Sequence, residues 1–134
     1  MRKVLLLSAF LSSAASAEDT GKEPSEGMLC LYMIIAGANQ YAVECGRETT
    51  DHAKELQSQV SSIRQYVLRN SSKWTEADLD RFESNALMGG GPVDCTNQDA
   101  QKVHDLVTSK IDEIKVQLNE SLSQDAEPTW GECL

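Results

Sequence analysis

Several things are scarce in this 134-residue chain, and each scarcity removes a class of function. No stretch reaches the roughly 18 consecutive apolar residues that cross a bilayer, so no integral membrane segment is expected. There is no Cys-x-x-Cys pair, which sets aside zinc knuckles and thioredoxin-type redox motifs. No Gly-x-Ser-x-Gly elbow, His-x3-His or Glu-x-x-His spacing occurs either, so neither a serine nucleophile nor a metal is specified by sequence. Basic residues are few, 12 Lys and Arg against 21 Asp and Glu, for a net charge of −9. Nucleic acid and anionic membrane surfaces need clustered Lys and Arg, and this balance argues against both. Strict apolar/polar alternation is missing throughout, and the turn signals lie too far apart for a sheet. No enzymatic activity and no cofactor are expected on these grounds.

The first residues do carry a signal. A basic start (Arg2, Lys3) leads into a short apolar run from Val4 to Leu11, and small residues follow, with Ala15 and Ala17 at the −3 and −1 positions. These are the three parts of a cleavable secretory signal peptide over residues 1–17. Cleavage leaves 117 residues, and loss of Arg2 and Lys3 lowers the net charge by two, to −11. Residues 18–25 read as a flexible leader, and residues 26–134 as a single helical domain with a non-helical C-terminal tail. Export to the periplasm of a Gram-negative bacterium, or otherwise to the extracellular space, is the expected destination.

Helical periodicity fills the rest. From Glu26 to Glu44 the pattern is helical and, over Met28–Ala38, apolar on nearly every side; such a helix belongs in the centre of a bundle. Gly46 is its C-terminal cap candidate. Thr49-Thr50-Asp51 opens a second helix whose seam is Ala53, Leu56, Val60, Ile63 and Val67, and Asn70-Ser71-Ser72 closes it. Thr75 with Asp78 forms a variant capping box for a short helix through Leu79, Phe82 and Leu87, stopped by Gly89-Gly90-Gly91-Pro92. From Thr96 or Asn97 to about Ser123, Ala100, Val103, Val107, Ile111, Ile114, Leu118 and Leu122 predict one helix of roughly 25 residues. The fold class is therefore all-α, a small up-and-down bundle of about four helices stapled by disulfides.

The staples follow from helix order. Cys30 and Cys45 lie 15 residues apart on one predicted helix, about 22 Å along its axis, too far to bridge each other. With antiparallel neighbours, Cys45 and Cys95 fall at one end of the bundle, Cys30 and Cys133 at the other. The predicted pairs are Cys45–Cys95 and Cys30–Cys133, closing loops of about 50 and about 100 residues, each worth about 4 kcal/mol in the chain-entropy model.

Few residues stand out as sites. Gly89 to Asp94, followed by His104-Asp105, resembles the calcium loop and His-Asp helix of secreted phospholipase A2. The cysteines that flank that family's His-Asp pair are replaced here by Gln101, Lys102 and Leu106, and the loop lacks its cysteine and aromatic residue. His52 follows Asp51 at a helix start, an ordinary surface position. Asn70-Ser71-Ser72 and Asn119-Glu120-Ser121 match the glycosylation sequon, which matters only in a eukaryotic secretory setting. Trp74, at a helix junction, and Trp130, in the tail, serve either to pack the end of the bundle or to contact a partner. The stretch from Lys73 to Leu79 and the four-cysteine layout resemble uncharacterised Gram-negative periplasmic proteins, a resemblance that carries no function with it.

Two functions are compatible with this reading. One is an exported, non-enzymatic protein that binds another macromolecule, in the manner of an inhibitor, immunity protein or effector, with an unknown protein as partner. The other is a carrier of a small apolar ligand held between helices around Met28, Leu31, Met33, Ile34 and Ile35. Insect odorant-binding proteins are similar in size, acidity, helices and disulfides, but their closely spaced cysteine pair is missing here.

Overall fold

The computed structural model describes residues 27–87 and 91–131. The predicted signal peptide and leader, Gly89 and Gly90, and Cys133 lie outside the described residues. Five helices follow one another: α1 (Met28–Glu44), α2 (Asp51–Asn70), α3 (Glu76–Ser84), α4 (Gln98–Ser109) and α5 (Ile111–Leu122). No β-strand occurs among the described residues, and none of their helices is long and apolar enough to cross a membrane.

The uniformly apolar segment is the central element. α1 packs against α2, α3 and α4, and Met28, Leu29, Tyr32, Ile35, Ala36, Ala38, Tyr41 and Ala42 are all buried. It ends in a Schellman turn, with Gly46 in the left-handed region (φ 74°) and Arg47 N–H donating to the Ala42 carbonyl at 2.7 Å. α2 is capped by Thr50, whose hydroxyl accepts from Ala53 N–H at 3.0 Å, and its whole predicted seam is buried together with Gln59 and Tyr66. α3 opens with the reciprocal capping box of Thr75 and Asp78.

Two helix ends differ from expectation. α3 stops at Ser84, before Leu87 and the glycines. The reason lies on α1. The Gln40 amide donates to the Ser84 carbonyl at 3.0 Å, and its oxygen accepts from Leu87 N–H at 3.3 Å, drawing the chain out of the helix. Gly37 leaves room for this: a Cβ there would stand 3.2 Å from Leu87 Cδ2.

The single long C-terminal helix is in fact two, broken at Lys110 (φ −113°, ψ 15°). Thr108 Oγ1 donates to the His104 carbonyl (3.0 Å) and Ser109 Oγ to the Leu106 carbonyl (2.7 Å), side-chain bonds that compete with the helical ladder. Packing completes the break. α4 lies mainly on α1 and α5 on α2, so the chain turns at Lys110 to reach a different neighbour while burying both Val107 and Ile111.

A disulfide joins Cys45, just past α1, to Cys95, just before α4, with Cα atoms 5.7 Å apart. Beside it the Tyr41 hydroxyl donates to the Cys95 carbonyl at 3.2 Å. Cys30 is also disulfide-bonded; its predicted partner, Cys133, is beyond the described chain.

Candidate functional site

The tail builds the opposite end of the bundle. It leaves α5 under the Tyr66 hydroxyl, which donates to the Gln124 and Ala126 carbonyls at 2.8 and 3.1 Å. Ser71 Oγ then holds the Glu127 carboxylate at 2.9 Å. α1 has no side-chain cap at its start; instead Leu29 N–H, one of the orphan donors of its first turn, donates to the Thr129 carbonyl at 3.0 Å. This backbone bond seats Trp130 next to α3.

Phe82 is the hub there. Its ring stacks on Tyr32 (centroids 4.7 Å), meets Trp74 edge-to-face at 5.7 Å and 86°, and meets Trp130 at 5.7 Å and 43°. Four of the chain's seven aromatic residues therefore sit in one cluster, which is why a sequence so poor in them still has an aromatic surface. Trp130 remains 44% exposed.

Together Trp74, Phe82 and Trp130 line an open groove of about 850 Å3, with Leu29, Met33 and Pro128 adding apolar surface. α3 contributes Asp78, Arg81 and Phe82, spaced i, i+3, i+4 along one helical face, and its C-cap Asn85 follows on the same side. The rim is charged but matched: Arg81 pairs with Asp78, and Lys73 Nζ lies 4.0 Å from Glu127. Asp78 is held below the usual carboxylate range, first by the Thr75 backbone N–H and hydroxyl and then by Arg81.

The wall beneath is stiffened by a polar network. Arg64 of α2 reaches three α3 carboxylates, Glu76 at 2.6 Å, Asp80 at 2.7 Å and Glu83 at 3.1 Å. The Tyr32 hydroxyl donates to Glu83, and burial, reinforced by that carboxylate, pushes its phenol far above the ordinary tyrosine range. Four carboxylates on a nine-residue helix would repel one another; a single guanidinium gathers three of them into the clamp that fixes α3 across α1 and α2.

Other sequence candidates land elsewhere. His104 is buried on α4, its Nδ1 lying 3.0 Å from Asp105 Oδ1 and 3.3 Å from Arg47 Nη1, with the Tyr41 ring 5.1 Å away. That arrangement ties the α1–α2 loop to α4. His52 is exposed in the first turn of α2. Among the described residues no group of three or more His, Cys, Asp and Glu side chains is arranged to hold a metal ion. Of the five residues named for an apolar pocket, Met28 and Ile35 belong to the buried hydrophobic core and Leu31 packs against it. Met33 and Ile34 face a second open groove of about 570 Å3 between α1 and α4.

The sequence named both tryptophans but not Phe82, Met33, Lys73 or Arg81 as their companions. The α3 face was legible in its i, i+3, i+4 spacing; its meeting with the tail was not. No protein-family model, curated protein or solved structure matches this chain.

Proposed function

We propose that this is an exported, non-enzymatic helical protein that acts by binding another macromolecule through the groove bounded by α1, α3 and the tail. The observation that carries the reading is the convergence of Trp74 and Trp130, 56 residues apart in sequence, on Phe82 in one open, apolar-floored groove. Tryptophans surrounded by packed neighbours are the residues that dominate binding energy at protein interfaces. The paired charges of the rim suit a polar margin around such an anchor. Its openness favours a macromolecular segment over a sequestered small ligand, the carrier alternative. Export rests on the N-terminal signal and agrees with a disulfide-bonded chain.

The test is affinity capture from the native compartment with the wild-type protein and the Trp74→Ala/Trp130→Ala double variant, read by quantitative mass spectrometry. A partner retained by the first and weakened about 30-fold or more for the second, the loss of a hot spot of about 2 kcal/mol, is expected. Equal retention by both proteins would sink the assignment to this groove.

A further inference from the structure

The groove has a direction as well as a composition. Its lining starts at Lys73 and Trp74, before the first residue of α3, and ends at Asn85 and Ala86, beyond its last. It therefore runs the length of a nine-residue helix, about 13 Å. An extended chain advances about 3.3 Å per residue, so this trough accommodates about four residues in extended form.

Charge selects among possible occupants. The two rim cations are each matched to a rim carboxylate. Beyond the rim, α3 and the tail add Glu76, Asp80, Glu83 and Asp125, against Arg64 and Arg69 packed on them. The surroundings are net acidic, as is the whole chain at −9. A second copy of this protein would bring the same sign and be repelled. A cationic chain is attracted, and indole faces are the aromatic surfaces that best hold guanidinium or ammonium groups.

Resting on the groove reading above, we propose that its occupant is an extended, cationic segment of a partner protein, with an arginine or lysine side chain lying across the indole of Trp130 and apolar side chains on the Leu29–Met33 floor. Acidity then steers the partner, and the apolar floor with its indoles retains it.

Trp74 and Trp130 are the chain's only tryptophans, so intrinsic fluorescence reports on this groove alone. Two synthetic decapeptides serve as probes, one alternating arginine and leucine and one alternating glutamate and leucine, titrated into the intact protein at about 0.15 M salt. The arginine peptide is expected to shift the tryptophan emission with at least about tenfold tighter binding than the glutamate peptide. Trp130→Ala should weaken it about tenfold, as followed through Trp74 emission. Trp130→Phe should retain most of the preference, separating lost ring contact from a disturbed tail. The control Asp112→Asn/Glu113→Gln, at the start of α5 and outside the groove, should bind as wild type. Equal affinity for both peptides, each weakened by Trp130→Ala, would overturn the cationic occupant while leaving the groove as the binding site. Arginine-peptide binding indifferent to Trp130→Ala would overturn both, exposing mere charge attraction. Trp130-dependent self-association in sedimentation, or Trp130-dependent binding of decanol with neither peptide bound, would name a second copy or an apolar ligand as occupant and also overturn the proposal.

Discussion

The two ends of the bundle each hold a disulfide-bonded cysteine beside α1, yet they leave different surfaces. At one end the α1–α2 loop and the segment before α4 must be held against α1, and the Cys45–Cys95 disulfide does so covalently. Tyr41, Arg47 and His104 close over that region, with Arg47 lying 5.2 Å from the Tyr41 ring centre and paired with Asp105 at 3.4 Å. At the other end, where Cys30 in the first turn of α1 is also disulfide-bonded, a backbone bond from Leu29 to Thr129 and the packing of Trp130 on Phe82 hold the tail against the start of α1. The Cys45–Cys95 end spends its polar and aromatic groups on one another. The aromatic end leaves an indole and a groove facing solvent. A disulfide lies at each end, so what separates the ends is the surface left over: buried and paired groups at one, a half-exposed indole over an open groove at the other.

The contrast can be broken most severely at the disulfide. Replacing Cys45 and Cys95 together by alanine should cost about 4 kcal/mol, because the closed loop spans 50 residues. Urea unfolding would register this as a lower midpoint, while Trp130-dependent binding by the surviving folded fraction should persist. Loss of binding in proportion to loss of the disulfide would show that the two ends are not separable.

Phe82→Ala attacks the hub of the other end. It should cost about 2 kcal/mol, below the range for a fully buried phenylalanine because Phe82 is partly exposed, and it should also abolish the groove's aromatic wall. Stability and binding are expected to fall together, which distinguishes this position from the cysteines. Trp130→Ala should cost only about 1 kcal/mol in thermal or urea unfolding, since the ring is 44% exposed, yet remove most of the binding.

Acid provides the mildest probe. Asp78 at the aromatic end and Asp94 and Asp105 at the Cys45–Cys95 end all titrate below the ordinary carboxylate range. The causes are local: Thr75 for Asp78, the Thr96 hydroxyl and N–H for Asp94, and the His104 ring for Asp105. A carboxylate with a depressed folded-state pKa contributes stability that is fully present above its unfolded value, near pH 4, and is lost as pH falls through the folded value. Unfolding midpoints should therefore be flat from pH 7 to about 5 and decline below about 4. Asp78→Asn should flatten the acid limb only partly; complete flattening would mean that the carboxylates at the Cys45–Cys95 end contribute nothing.

Much of this architecture was written in local chemistry. The all-round apolarity of Met28–Ala38 marked α1 as central, the three-and-four spacing marked the buried seam of α2, and Thr75 with Asp78 marked the start of α3. These are short-range relations, set by helical pitch and by a side chain reaching a backbone N–H three residues on. The two misread boundaries involve tertiary partners. Periodicity continued unbroken through Lys110, because Val107 and Ile111 are both buried, although each packs in a helix with a different main neighbour. The α3 pattern likewise ran on to Leu87, where Gln40, more than forty residues earlier, takes up the Ser84 carbonyl and the Leu87 N–H.

By itself, then, the sequence determined the helical class, the cap residues Gly46, Thr50 and Thr75, and the acidity, since each depends on composition or on neighbours a few positions away. Which faces met was decided by the tertiary structure. Trp74 and Trp130 became one site only when the tail capped α1 through Leu29 and Arg64 drew three carboxylates into holding α3 in place. Those contacts join residues from different helices and the tail, and no local period encodes a meeting at that range.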